Sequence, residues 1–101
     1  HLDGRVSAIV GTHQHVPTAD GHILPRGTAY QTDAGMCGDY NSVIGMNKEP
    51  ILERFLGMKS KKKFSPALGE ATLCGVIIES DSETGLAKTI EPIKIGGVFG
   101  K

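Results

Sequence analysis

The sequence predicts a mixed α and β chain, and three observations carry that reading. A β-branched run, RVSAIV at residues 5–10, is closed by Gly11. An apolar stripe at helical spacing follows Asn47, and two β-prone segments near the end flank the polar stretch DSETG. The expected order is strand, loop, strand, loop, helix, hairpin.

Each element has a local reason. RVSAIV is short and β-branched, which suits a buried strand. Residues 12–27 carry Pro17, Asp20-Gly21, Pro25 and Gly27, a long loop dense in turn formers. TAYQT, 28–32, is the second strand, and DAGMCGDYNS, 33–42, the second loop. Asn47 reads as an N-cap, with Pro50 tolerated in the first turn and Gly57 closing the far end. Ile51, Leu52, Phe55 and Leu56 then share one face of a helix over 48–56. The basic run KSKKK, 59–63, reads as a solvated linker, with anion binding as the alternative. ATLCGVIIES (71–80) and LAKTIEPIKI (86–95) form the arms of a hairpin turning at 81–85, with Pro92 marking an edge or a bulge. GGVFGK reads as a loose tail.

Composition narrows the function. The chain has 101 residues, and its eleven basic and eleven acidic residues cancel. No overall field draws it toward nucleic acid or an anionic membrane. With no Trp, three Phe and two Tyr, core burial must come from Ile, Val and Leu. No stretch reaches the roughly 20 apolar residues of a membrane helix. Cys37 and Cys74 lie far apart without a CxxC, so they read as free thiols of a reducing cytoplasm. Position 1 is His, which reads as a chain beginning inside a longer reading frame.

The sharpest chemical signal is AIVGTHQHVPTADG, 8–21. A strand that releases its chain at Gly11 presents the next residues at the C-terminal edge of a sheet, where α/β sites lie. His13 and His15 can chelate one ion or serve two neighbouring ions, and their spacing alone does not choose. A metallo-β-lactamase HxHxDH would need Asp and His where this chain has Pro17 and Thr18. An amidohydrolase HxH needs a barrel of about 250 residues. Asp20, Asp33 and Asp39 are loop aspartates whose ordinary work is to cap turns. His22 reads as exposed, and Cys37 lacks a neighbouring base for nucleophilic work. The glycines around Met36 would let backbone approach a phosphate. There is no P-loop and no GxGxxG.

LDGRVSAIVGTHQHVPTAD, ILPRGTAYQTDAGMCGDYNSVIGM and the LCGVIIES hairpin together resemble the C-terminal part of the YmdB family of bacterial calcineurin-like metallophosphoesterases. The resemblance covers roughly residues 2–95, and GTHQH is similar to the family's GTHTH, with Gln14 at a position that is not a metal ligand. It implies an α/β fold: the C-terminal part of a β-sandwich flanked by helices, in a single metallophosphoesterase domain whose N-terminal half is absent from 1–101. It further implies that His13 and His15 each bind one ion of a binuclear iron or manganese centre. The remaining ligands come from the N-terminal half in that family. The implied activity is hydrolysis of phosphodiesters, 2′,3′-cyclic nucleotides among them.

The resemblance therefore implies a metal-dependent phosphodiesterase whose other half is this chain's partner; a homo-oligomer stays open, and the lack of a membrane-length apolar run leaves no membrane among the expected partners. The rival reading is a non-catalytic structural or interaction module. A third is a single zinc held by His13, His15 and Asp20.

Overall fold

Side-chain and main-chain polar groups, more than apolar packing, set the elements of this chain. The computed structural model describes residues 1–59 and 63–100, so the middle of the basic run 59–63 lies outside the described residues. Six elements follow in order: β1 (Ala8–Val10), β2 (His22–Ile23), β3 (Ala29–Gln31), α1 (Lys48–Phe55), β4 (Leu73–Ser80) and β5 (Ala87–Ile95). They make a mixed α and β chain with one short helix among the described residues.

The first sheet has the order β1-β3-β2. β1 runs parallel to β3, with Ala8 opposite Ala29 and Val10 opposite Gln31. β2 runs antiparallel to β3. The strand expected at 5–10 is shorter: main-chain pairing reaches back to Ser7, whose carbonyl accepts the Ala29 N–H at 3.0 Å, and before Ser7 side chains make the contacts. Thr28 Oγ1 donates to the Val6 carbonyl at 2.7 Å and accepts the Gly4 N–H at 2.8 Å. The Asp3 carboxylate accepts the N–H groups of Arg26 and Thr28. β2 falls inside the segment expected to be loop. Two residues are too few to show an alternating pattern, and the pairing is made by the tight turn 24–27, where Leu24 N–H meets the Thr28 carbonyl at 2.8 Å.

The expected hairpin is present as β4 and β5, paired antiparallel from Leu73–Ile95 to Ser80–Ala87. Asp81 shapes the turn. Its carboxylate accepts the Glu83 and Thr84 N–H groups, and its carbonyl accepts the Gly85 N–H at 2.7 Å. Pro92 sits opposite Val76 within a two-stranded sheet, where every strand is an edge; the register shift falls at Glu79/Ser80 instead. β5 lies against β2 and β3, joining the two sheets.

α1 ends one residue short of the expected 48–56, with Leu56 at its C-cap. Asn47 holds the N-cap position but makes no side-chain cap bond. Its amide is used elsewhere, donating to Ser65 Oγ at 2.8 Å and to the Pro66 carbonyl at 3.3 Å. Residues 96–100 of the tail are not loose. Phe99 stacks on Tyr40 with ring centroids 4.5 Å apart, and Gly100 N–H closes onto the Gly96 carbonyl.

Among the described residues the buried apolar side chains are Ala29, Cys74 and Pro50, whereas Thr28, Gln31, Asp33, Asp39 and Thr72 are buried polar groups. The helix face that should seek a core faces solvent: Leu52 is 50%, Leu56 77% and Phe55 87% exposed. The radius of gyration is 17.4 Å, against about 13 Å for a compact chain of this length. The chain is a flat slab with extents of 56 × 31 × 17 Å.

Gly85 has φ +74°, and a Cβ there would meet only Ser7 Oγ, at 3.9 Å. The cost of a side chain is therefore conformational. Gly85→Ala should lower stability by about 1–2 kcal/mol in denaturant titration, whereas Ser82→Ala in the same exposed turn should change it little.

Candidate metal centre

Parallel pairing sends β1 and β3 out of the sheet at the same edge, so the segments after Val10 and after Gln31 run side by side. Gly11 continues the ladder, donating to the Gln31 carbonyl at 3.2 Å and accepting the Ala34 N–H at 2.9 Å. A Cβ on Gly11 would stand 2.0 Å from the Thr32 carbonyl oxygen, so only glycine fits this close approach. The chain then swings out through Thr12, His13, Gln14 and His15. It returns at Pro17, which bridges to Ala34, and at Thr18, whose N–H meets the Asp33 carbonyl at 3.1 Å.

His15 is held on both counts that matter for a ligand. Its backbone is left-handed, φ +64°, and its Nδ1 lies 2.9 Å from the Ile44 carbonyl, itself on a left-handed residue at φ +47°. A carbonyl can only accept, so Nδ1 carries the proton and neutral His15 keeps a free lone pair on Nε2. This is the arrangement metal-bound histidines use to fix tautomer and ring orientation. Left-handed backbone at two non-glycine residues, one of them β-branched, is a feature that surrounding structure must impose. His13, on the same loop, is exposed.

The loop aspartates do the turn work expected of them. Asp33 is fully buried: Oδ2 accepts the Gln14 N–H at 2.5 Å and Oδ1 the Gly35 N–H at 2.8 Å. Asp39 accepts the N–H groups of Asn41 and Gly69. Asp20 ties the loop to the end of β3, accepting from Thr18 Oγ1 at 2.6 Å, from Thr32 Oγ1, and from the Thr32 N–H. Those hydroxyls, Thr18 first and Thr32 next, hold its carboxyl down to about 2. With its oxygens so engaged, Asp20 is not offered as a third ligand. Among the described residues no group of three or more His, Cys, Asp or Glu side chains is placed to hold a metal. The single-zinc set of His13, His15 and Asp20 is therefore not assembled.

His22 is exposed, in β2 rather than in a loop, with its Nδ1–H on the Asp20 carbonyl at 2.5 Å and its ring edge-on to Tyr30. Both cysteines are free, Cys37 exposed and Cys74 buried. Tyr40 OH accepts the Met36 N–H at 2.8 Å and has the Met36 carbonyl and Cys74 Sγ as acceptors within 3.2 Å. Burial, reinforced by the Cys74 contact, pushes its hydroxyl up to about 12. A Cβ on Gly35 would meet Cys74 and the Tyr40 hydroxyl within 3 Å, so internal packing alone calls for this glycine next to Met36.

Ile44 and the Asp33–Gln14 bond are the parts of the site that the sequence reading missed. DAG at 33–35 is a readable turn signal, but its second oxygen reaches back 19 residues. A left-handed isoleucine has no sequence signature.

A profile of the YmdB-like protein family matches residues 1–93. The chain belongs to this family. It is 50% identical over 95 residues to the 2′,3′-cyclic-nucleotide 2′-phosphodiesterase of Bacillus subtilis (strain 168), covering 94% of this chain and 36% of that protein. A solved phosphatase from Mycoplasma pneumoniae superposes with a TM-score of 0.86 at 44% identity, over 94% of this chain and 34% of its own. A hypothetical protein from Thermus thermophilus superposes with a TM-score of 0.84 at 43% identity, over 95% and 37%. The chain thus spans about a third of the length of these relatives. Among the described residues no helix is long and apolar enough to cross a membrane.

Asp20 yields a pH test. Its folded carboxyl titrates near 2 against an ordinary 3.8, so the ionised form is favoured by folding. That contribution is complete above about pH 4 and fades as pH falls toward 2. Asp20→Asn should flatten the acid limb of the melting temperature between about pH 4 and pH 2, read by thermal unfolding across that range. An unchanged limb would assign it to other carboxylates.

Proposed function

We propose that residues 1–101 are the C-terminal part of a longer metal-dependent phosphodiesterase, to which they bring His13 and His15 as metal ligands. One observation carries the reading: His15, in the GTHQH loop at the exit of β1, spends its Nδ1 proton on the Ile44 carbonyl and keeps Nε2 free to bind a cation. The donors suit the group in kind, since neutral imidazole is a good ligand for iron, manganese or zinc. Two imidazoles do not suffice for two ions. The other ligands would come from the part of the protein outside 1–101.

Supporting this is the bare apolar surface. Leu52, Phe55, Leu56 and Leu68 face solvent in a slab with few buried apolar side chains, as one layer of a larger fold would leave them. The proposed whole is a single two-layer β-sandwich domain flanked by helices, with β4–β5 as its terminal hairpin. Phosphate diesters such as 2′,3′-cyclic nucleotides are the proposed substrates, by likeness to the Bacillus subtilis relative named for them.

Two divalent ions, when bound with His13 and His15 among their ligands, would supply an acidified water and a clamp on the phosphoryl oxygens. This chain's share is positional. The Ile44 carbonyl fixes the His15 tautomer and aims its ring. Gly11, wedged on Thr32, fixes the point at which the ligand loop leaves the sheet.

Replacing His13 or His15 with Ala in the longer protein should each remove about one ion per protomer by elemental analysis. Each should also cut turnover of a model phosphodiester at least a hundredfold, about 3 kcal/mol of lost charge stabilisation. His22→Ala should leave both near wild type. Residues 1–101 alone with manganese should hydrolyse the same diester no faster than buffer. Full metal and full rate in His13→Ala would overturn the proposal.

A further inference from the structure

We propose that Asp33 is a positioning residue for the ligand loop: its buried carboxylate fixes the main chain between the two histidines and so sets where their rings stand. The inference rests on the metal reading above. Gln14 is the single residue separating His13 from His15, and its N–H is aimed at Asp33 Oδ2 at 2.5 Å. The other oxygen of the same carboxylate takes the Gly35 N–H at 2.8 Å. The Asp33 main chain is held as well. Its N–H goes to Thr18 Oγ1 at 3.0 Å, and its carbonyl accepts the Thr18 N–H and the Gln31 amide.

Asp33 therefore touches the loop between the histidines and the loop's return point at Thr18. It also anchors Gly35, at the start of the segment that carries the Ile44 carbonyl to His15. Between Gly11 and Pro17 the loop is otherwise anchored by the Ile44 contact at His15; the Pro17 bridge, the Thr18 N–H and Asp20 hold only its return. Groups behind metal ligands fix their orientation, and losing one commonly costs roughly 10–100-fold in metal affinity or activity. Here the group behind them acts on the main chain that bears both ligands. Charge matters here: each oxygen serves one N–H, so an asparagine can satisfy one and must turn its NH₂ toward the other.

The test uses the longer protein, with manganous ion as the probe, titrated by electron paramagnetic resonance, and cobalt(II) absorption as a report on ligand geometry. Asp33→Asn should weaken manganese binding roughly 10–100-fold and alter the cobalt bands. It should lower kcat on a model diester while leaving KM near wild type. Because a buried substitution can cost folding, Gln14→Pro supplies a second arm. It removes the N–H that Asp33 accepts and leaves the carboxylate in place, while also fixing φ at position 14 and restricting His13, and it should weaken manganese binding in the same direction. Gln14→Ala keeps the N–H and should match wild type. Loss of metal in His13→Ala, with wild-type affinity in Gln14→Pro, overturns the positioning role and leaves the metal reading standing. Wild-type affinity in His13→Ala, Asp33→Asn and Gln14→Pro together overturns the metal reading, and the positioning role with it.

Discussion

Asp33 is an acid with no exposed surface, in a chain whose described residues bury few apolar side chains. Burying an ionised carboxylate is costly unless hydrogen bonds replace its water. Here two main-chain N–H groups do so, one from the loop after β1 and one from the loop after β3. Charge-assisted bonds of this kind are stronger than neutral ones, and they tighten where solvent is excluded. The result is a cross-link between two loops that share no strand pairing beyond Ala34. The rest of the site hangs from it: the outward swing of the histidines, the return at Thr18, and the course of the chain toward Tyr40 and Ile44.

The same economy runs through the whole segment. Thr28 joins the N-terminal residues to β3, Asp20 joins the β1–β2 loop to Thr32, Asp39 joins its own turn to Gly69, and Thr72 Oγ1 receives the Phe99 N–H. These bonds specify geometry well but contribute modestly to net stability, about 1 kcal/mol each. Apolar burial, the dominant stabilising force in most domains, is slight among the described residues, where Leu52, Phe55, Leu56 and Leu68 lie open. A slab of this kind has a defined shape and little reserve of its own.

What could be read in the sequence follows from the range of the forces involved. The hairpin was legible because β4 and β5 are long enough to show β propensity and because Asp81 and Gly85 are local turn chemistry. Helix α1 was legible from its spacing, but the fate of its apolar face was not, since burial depends on what lies opposite. Asn47 looked like a cap because of its position; Ser65 and Pro66, distant in sequence, claimed its amide. β2 is two residues made by a turn and leaves no periodic trace. His13 and His15 stood out as a pattern, yet their support came from residues well beyond the loop, Asp33 and Ile44. The candidate ligands were local information and their positioning was not.

Ile44 shows why that second layer resists sequence reading. A β-branched residue in a left-handed conformation costs about 1–2 kcal/mol, and nothing in the residue type favours it. His15 is left-handed too, and one hydrogen bond joins the pair. That bond, worth about 1 kcal/mol, does not by itself offset two such residues. The remainder must come from the anchors on either side: Asp33 and Thr18 behind His15, and the Val43–Met46 bridge with Ser42 Oγ on Gly45 N–H behind Ile44. Strain of this sort persists only where the surroundings over-determine it. It falls where the loops after β1 and β3 meet. A histidine with its outward nitrogen free is held there, its ring set by the Ile44 carbonyl.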